Sequence, residues 1–471
     1  MRAKPLPRRS AISDAAFSPD PALERLPFYA RFYSRRVQPA LERAKGKATP
    51  VIEELLAQSQ TWEPERLEAW RWGELNKLLS WAVVQVPFYR RWFQEKGVTP
   101  QEIAAARDLG PLPIISKQMI QAAPEDFRAA APPEGTYAKS TGGTLGQPLH
   151  FMVNPMSDQW RMAVSRRGYA WAGCVPGRKQ VHLWSGDLAP LSWKMGLKRG
   201  LHRLLQSQRF VDYYRMLGPK EVAAAMEVID RFGPDCLVAY PSGAETLARQ
   251  ALEMGWQPRK PLVSVLTGAE RLLPHQRELI QEGLGCPAFE TYGSREFMLM
   301  ASECPAHQGL HVSAENVILE VDAPQGQVGE LLVTDLHNYA QPFIRYQGGD
   351  LASWLEGPCP CGRTLPRLAG VEGRVMDAIR TPDGGRLTGL FFPHLLKDYP
   401  AIAQYQIVQP SLDALVVRLV LREALTAEQE QAILSAVQKA LPGVRPRIEP
   451  VEKIETTPSG KVRITIGLGN T

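Results

Sequence analysis

The chain has 471 residues, 44% of them hydrophobic and 22% charged, a globular composition that excludes a wholly disordered chain. At ~150 residues per domain this length calls for at least two domains. The net charge of +6 is diffuse, so it favours anionic ligands without pointing to nucleic acid, and no run of ~18 apolar residues offers a membrane span.

Met1–Ser10 is basic and broken by proline, with no apolar stretch behind it, so no signal peptide is expected. The six cysteines are scattered, which predicts reduced thiols and a cytoplasmic setting.

In chain order, Leu67–Val84 carries Trp70, Leu75, Leu78, Leu79 and Ala82 at helical spacing, predicting a helical N-terminal region. From Pro111 to Lys260, strand-like Gln180–Trp184 and Cys236–Ala239 alternate with helical Pro219–Arg231 and Gly243–Met254, the pattern of βαβ units on a largely parallel sheet. Within this stretch Leu188–Val211 has no acid and contains Lys194, Lys198, Arg199, Arg203 and Arg209, with Leu197, Leu201, Leu204 and Leu205 at helical spacing. Two readings stand: a peripheral contact with an anionic membrane, or a surface helix whose leucines pack on its own domain.

Leu262–Leu266, Pro274–Glu282 and Ala288–Thr291 continue the alternation, whereas Asn316–Val321, Gly329–Thr334 and Pro342–Tyr346 read as consecutive strands of a β-rich subdomain. After Gly373 the pattern resets: strands near Ala403–Gln409 and Ala414–Leu421, a helix over Thr426–Leu441 opened by a Thr426/Gln429 capping box, and a strand near Pro446–Val451. The expected fold class is therefore α/β, a large N-terminal domain with a β-rich subdomain followed by a small α+β C-terminal domain.

Ser140–Pro148 (Ser-Thr-Gly-Gly-Thr-Leu-Gly-Gln-Pro) offers unobstructed backbone N–H groups and hydroxyls that suit phosphate oxygens, although it lacks the lysine of a Walker A loop. Thr267-Gly268-Ala269-Glu270 and Tyr292-Gly293-Ser294-Arg295-Glu296 each follow a strand-like run, where α/β folds place ligands. There Tyr292 can lie on a purine and Glu296 can hold a hard cation such as Mg²⁺. Asp350 closes Arg345–Asp350 with a carboxylate suited to ribose hydroxyls, and Lys461, on the turn Thr457-Pro-Ser-Gly-Lys, carries a mobile ammonium. Taken singly, each is as readily a turn-former, a packed tyrosine or a solvated charge.

Together these segments, in this order, resemble the AMP-forming acyl-adenylate superfamily, and within it the phenylacetate-coenzyme A ligase and capsular-polysaccharide (CapK-like) branch. Val86-Pro-Phe-Tyr89, Leu112-Pro-Ile114, Tyr240-Pro-Ser242 and Cys359-Pro-Cys-Gly-Arg363 add to the likeness, which runs from Leu75 to Ile466. Residues 1–74 are expected to form a helical extension, and the resemblance implies an ATP- and acid-binding domain over 75–372 and a mobile C-terminal domain over 373–471, hinged near Gly373–Asp377. It implies that Thr141, Gly142, Gly143, Thr144 and Gly146 hold phosphates and that Ala269, Glu270, Thr291 and Tyr292 frame adenine, with Gly293 and Ser294 also at the cofactor. It further implies that Asp350 and Arg374 hold ribose, Glu296 binds Mg²⁺ and Lys461 is the adenylation lysine.

ATP, Mg²⁺ and coenzyme A are the implied cofactors, and a carboxylic acid, aryl or arylacetic, is the implied substrate, with Tyr240 lining its pocket. Leu145, Gln147, Arg295 and Gly348 depart from the family pattern, and Arg295 is expected to supply positive charge that the loop lacks.

Cys304, His307, His311, Cys359 and Cys361 form a second constellation, suited to a structural tetrahedral Zn²⁺ site, with His311 favoured over His307 by the resemblance. Free thiols and surface histidines are the alternative. The expected activity is acyl-AMP formation followed by thioester formation with coenzyme A. Two other readings remain: an acyl-activating protein of exopolysaccharide or capsule assembly with another acceptor, and a non-catalytic, zinc-stapled scaffold. The oligomeric state is open, a homodimer included.

Overall fold

The computed structural model describes residues 26–141, 149–184, 193–213, 216, 219–324, 326–374, 379–380, 386–387, 391–396, 399, 401–455 and 464–468. The large unit contains β1 (Ile115–Ser116), β2 (Tyr137–Ser140), β3 (His150–Val153), β4 (Gln180–Trp184), β5 (Gln208–Asp212), β6 (Cys236–Ala239) and β7 (Ser264–Thr267). It continues with β8 (Ala288–Ser294), β9 (Met298–Glu303), β10 (Leu310–Val312), β11 (Val317–Asp322), β12 (Gly329–Asp335), β13 (Tyr346–Leu355) and β14 (Arg367–Arg374). The main sheet runs β11-β12-β13-β14-β10-β9-β8-β7-β6-β4-β5, with β1 added along β13.

From β5 to β8 every pairing is parallel, as the alternation of strands and helices predicts. β8 then pairs antiparallel with β9, and the sheet stays antiparallel through β11. Strand chemistry follows: β6 and β7 are buried along their whole length, as strands covered on both faces must be.

Several expectations hold to the residue, among them Gln180–Trp184 and Cys236–Ala239, and Thr426 caps Ala427–Ala440 with the reciprocal Gln429 bond. The expected strand over Pro342–Tyr346 does not form; β13 begins only at Tyr346. Arg345 sits in the left-handed region at φ 50°, which turns the chain there. Its guanidinium explains why the turn is ordered: it donates to the Leu112 carbonyl at 2.7 Å and to the Gly110 carbonyl at 2.9 Å, and it pairs with Glu320.

The helix Pro64–Gln85 runs through position 75, and its Leu67 shares a core with Phe151, Phe297, Phe343 and Tyr346. The helical residues before 75 are thus packed on the sheet. Below them lies a buried ion pair: Arg167 grips Glu315 with two hydrogen bonds, at 2.6 and 2.9 Å, while Ser59 donates to the same carboxylate.

Beyond β14 the small unit has a two-stranded ribbon, β15 (Ile379–Arg380) with β16 (Arg386–Leu387), and a sheet ordered β19-β18-β17-β20. Its strands are β17 (Ile402–Ser411), β18 (Ala414–Leu421), β19 (Arg445–Pro450) and β20 (Thr465–Ile466). Its core, around Phe392, Ile407, Leu415, Val417, Ile433 and Val437, is separate from those of the large unit. Among the described residues, no helix is long and apolar enough to cross a membrane.

Burial alone would raise the Glu315 pKa, but the charge and hydrogen bonds of Arg167, with the Ser59 bond, outweigh it and hold the carboxyl below its ordinary 4.5. An acid with a depressed folded pKa stabilises fully above its unfolded value, so this pair's contribution is complete above pH 4.5 and is lost as pH falls through the lower folded value. Glu315→Leu strands a buried guanidinium and is expected to cost about 3–5 kcal/mol in urea unfolding. Adding Arg167→Met should recover much of that loss.

Candidate active site

The carboxyl ends of the parallel strands converge where the sheet changes direction, the position at which an open α/β sheet leaves a crevice. β6 ends at Ala239, and the next residue, Tyr240, is the N-cap position of the helix Pro241–Met254, which has proline in its first turn. Tyr240 is buried and lies flat on Trp184 from the end of β4, centroids 4.2 Å apart and planes 14° apart, with the Tyr213 ring 5.5 Å away. Tyr213 donates to Ser242 Oγ at 3.1 Å, and burial pushes its phenol up to about 12. Sequence reasoning named Tyr240 but missed Trp184 and Tyr213. Their positions at or just past strand ends were the available signal.

β7 ends in Thr267-Gly268-Ala269-Glu270. Gly268 is required by close approach: a Cβ there would stand 2.7 Å from Thr291 Oγ1. Thr291 spans the neighbouring strands by donating to the Thr267 carbonyl at 2.7 Å. Ala269 adopts φ 66°, a conformation that costs a non-glycine residue about 1–3 kcal/mol and that clusters at ligand sites. Glu270 accepts from the Ser242 backbone N–H at 3.1 Å, which joins the ends of β6 and β7.

On β8, Tyr292 donates its hydroxyl to Asp350 Oδ2 at 2.8 Å, and Asp350 faces Arg374 in the register of β13 and β14. Four predicted positions, Thr291, Tyr292, Asp350 and the backbone of Arg374, therefore meet at one edge of the crevice. Arg295 Nε donates to the Ser140 carbonyl at 3.1 Å. Ser140 ends β2, which pairs with β3, so the Gly/Thr segment is the connection of a hairpin. Its base is closed by a reciprocal pair, Thr141 N–H to the Leu149 carbonyl at 3.0 Å and Leu149 N–H to Thr141 Oγ1 at 2.9 Å. Gly142, Gly143, Thr144, Leu145, Gly146 and Gln147 lie outside the described residues, as do Lys461 and the side chain of Arg374. Glu296 is half-buried in the β8–β9 turn beside Arg295.

A second cluster lies at the opposite side of β9 and β10. Cys304, His311, Cys359 and Cys361 bring one donor atom each to within 4.8 Å of one another. Cys304 Sγ stands 3.6 Å from Cys359 Sγ, and Cys361 Sγ 3.3 Å from His311 Nε2. Tetrahedral Zn²⁺ with Zn–S bonds of about 2.3 Å needs sulfurs about 3.7 Å apart, so the donors fit. His311 Nδ1 lies 3.4 Å from the Leu365 carbonyl, the outer contact that would fix Nε2 as the ligand atom. Burial drives the His311 pKa down to about 4, leaving a neutral imidazole, and pushes Cys304 up to about 12. His307 is outside the cluster and faces Glu303 at 3.3 Å.

Residues 379–467 match the family model described as the CapK C-terminal domain. The chain is 27% identical over 391 residues to a phenylacetate-coenzyme A ligase of Thermus thermophilus, covering 80% of this chain and 86% of the relative. It is 23% identical to Protein CapK of Staphylococcus aureus over 331 residues, 69% of this chain and 73% of the relative. In structure it is similar to a 2-hydroxyisobutyryl-CoA ligase solved with R3-HIB-AMP, with a TM-score of 0.68, 23% identity, and coverage of 87% and 91% of the two chains.

One substitution tests the geometry without any ligand. A Cβ on Gly293 would stand 2.1 Å from the Met298 carbonyl oxygen, a backbone atom that cannot swing aside. Gly293→Ala is expected to lower stability by about 3 kcal/mol, read from thermal or urea unfolding.

Proposed function

We propose that this chain, a homologue of the phenylacetate-coenzyme A ligases and CapK built on the adenylate-forming fold, activates a carboxylic acid with ATP and passes the acyl group to coenzyme A. In the first step a carboxylate oxygen attacks the α-phosphorus, forming acyl-AMP and releasing pyrophosphate. In the second a thiolate sulfur attacks the acyl carbon and AMP leaves.

The observation that carries this reading is the Arg295 bridge to Ser140, which brings the base of the Gly/Thr hairpin to the end of β8, where the Tyr292 hydroxyl reaches Asp350 on β13. Thr141, Gly142, Gly143, Thr144 and Gly146 would then receive the phosphates. Ala269, Glu270, Thr291 and Tyr292 would frame the adenine, with Gly293 and Ser294 also at the cofactor, and Asp350 with Arg374 would hold the ribose. Arg295, held at the loop, replaces charge missing from Gln147. Glu296 would hold Mg²⁺, which would neutralise phosphate charge. Lys461 would stabilise the charge shared by carboxylate and α-phosphate. Residues 373–471 would turn as one unit about Gly373–Asp377 between the two steps.

The stacked Trp184 and Tyr240, with Tyr213 beside them, support an aryl or arylacetic acid, because flat rings favour a flat, apolar substrate. The match to the CapK C-terminal domain favours a second reading, delivery of the acyl group to another acceptor in capsule or exopolysaccharide assembly. Free thiols at Cys174, Cys236 and Cys286 fit a reducing compartment, and we place the enzyme in the cytoplasm.

ATP–pyrophosphate exchange over a panel of acids tests the activity. Exchange is expected with an aryl acid and should fall at least ~100-fold in Lys461→Ala, in line with other lost oxyanion donors. Exchange without thioester on adding coenzyme A would move the assignment to the second acceptor class, and no exchange with any acid would leave a scaffold.

For the Cys304, His311, Cys359 and Cys361 cluster we propose a structural Zn²⁺, because all four positions are filled by protein donors and no open position remains for substrate. One zinc per chain is expected by metal analysis. Cys361→Ser should lose it and lower the melting temperature, as should a chelator. Metal-free wild-type protein of unchanged stability would end the proposal.

A further inference from the structure

The helix Trp193–Leu205 is turned the wrong way for a helix that serves its own core. Leu197, Leu201 and Leu204 recur at i, i+4 and i+7, yet they are 69%, 57% and 71% exposed. A surface helix normally points such a stripe inward. The same inversion occurs on the helical stretch beginning at Phe28. Leu26, Ala30 and Tyr33 take the inward positions, packing near Val175, and Gly177 admits them so closely that a Cβ on it would stand 2.9 Å from Tyr33 Cβ. Phe28 and Phe32, one turn apart, are left outside at 76% and 49% exposure, their rings stacked 6.2 Å apart.

These two outward faces are neighbours, because the Tyr29 hydroxyl donates to the Leu205 carbonyl at 2.7 Å. Charge around them is mostly positive, and the one acid of the Phe28–Ala44 stretch, Glu42, is paired with Arg166. Leu26–Leu41 contains Arg31, Arg35 and Arg36 and no acid, and Leu188–Val211 contains five Lys or Arg residues and no acid. Lys45 and Lys47 lie close enough to His202 to act on it: burial first, then the like charges of Arg166, Lys45 and Lys47, lower its pKa against the pull of Glu42. Tyr29 also borders a cleft of about 370 Å³ whose lining includes Arg178, Lys179 and Lys260 against the single carboxylate of Asp235.

We infer that the face built from the Phe28–Ala44 helical stretch and the helix Trp193–Leu205 docks on an anionic lipid bilayer. Outward leucines and phenylalanines would enter the acyl boundary while the exposed Arg31, Arg35, Arg36, Lys45 and Lys47 meet phosphate headgroups, the arrangement of an interfacial amphipathic helix. Charge complementarity selects this occupant. A second copy of the chain would bring the same positive rim against itself, which repels.

The test is co-sedimentation of the full-length protein with vesicles of phosphatidylcholine alone and of phosphatidylcholine with phosphatidylglycerol. The protein is expected to pellet with the anionic vesicles, not with the neutral ones, and less at high salt. Leu197→Ser/Leu201→Ser/Leu204→Ser should lower the bound fraction at least ~10-fold, given the apolar area withdrawn from lipid. Phe28→Ser/Phe32→Ser is a second, independent variant with the same expectation, and melting temperatures confirm that each still folds. No pelleting with anionic vesicles, equal pelleting of wild type and both variants, or a dimer in light scattering that both variants dissolve would each overturn the proposal. Sedimentation needs neither ATP nor an acid, so its outcome is independent of the exchange assay.

Discussion

The β8–β9 pairing is the constraint on which the rest of the site depends. Here a parallel sheet becomes antiparallel, and the two strands approach so closely at Gly293 that no side chain fits between that residue and the Met298 carbonyl. Met298 itself takes φ 59°, so the reversal is tight on both sides of the turn. Because β8 turns directly into β9, its antiparallel neighbour in the sheet, no helix follows the end of β8 as helices follow β6 and β7. Tyr292 is thereby left to reach Asp350 on β13, and Arg295 to reach the hairpin of β2 and β3.

This arrangement fixes the two ends of the β2–β3 connection against the end of β8. Thr141 and Leu149 close the hairpin base by two hydrogen bonds, which fixes the chain at both of these positions. A loop that must wrap phosphate gains from such anchoring, since backbone N–H groups can converge only if both ends of the segment are positioned. Arg295 fixes the Ser140 carbonyl and brings a permanent positive charge to the end of β2.

How much of this was legible in the sequence depends on how local each feature is. Gln180–Trp184, Cys236–Ala239 and the capped helix after Thr426 are set by residue type within a few positions, and they fold as read. Pro342–Tyr346 was misread as a strand because its apolar residues suit one, whereas a left-handed Arg345 and its bonds to Leu112 and Gly110, more than 200 residues away, impose a turn. The site segments were individually ambiguous for the same reason. Tyr292 and Asp350 are 58 residues apart, and Arg295 and Ser140 are 155 apart, so no spacing rule connects them. Only the ordered set of motifs did. Of the metal-type cluster, Cys359 and Cys361 were visible as a local pair. His311 lies on β10 and joins the cluster, whereas His307 sits in the turn before that strand and faces Glu303.

The outward leucines of Trp193–Leu205 show the converse limit. Periodicity reports that a helix has an apolar stripe, and it is silent on which way the stripe faces. Orientation is decided by what competes for the inner surface. Around Gly177 that surface is already taken by Leu26, Ala30, Tyr33 and Val175, and Tyr29 clamps the C-terminal end of the second helix through the Leu205 carbonyl. With the inner face filled by the N-terminal stretch, both helices present their remaining apolar residues outward, inside a rim that carries cations and almost no acids. A chain selected only to be a compact, freely diffusing catalyst would gain stability and solubility by making Leu197, Leu201 and Leu204 polar. Their retention beside a positive rim is the pattern expected when another surface, itself negative and apolar beneath, completes the fold's packing.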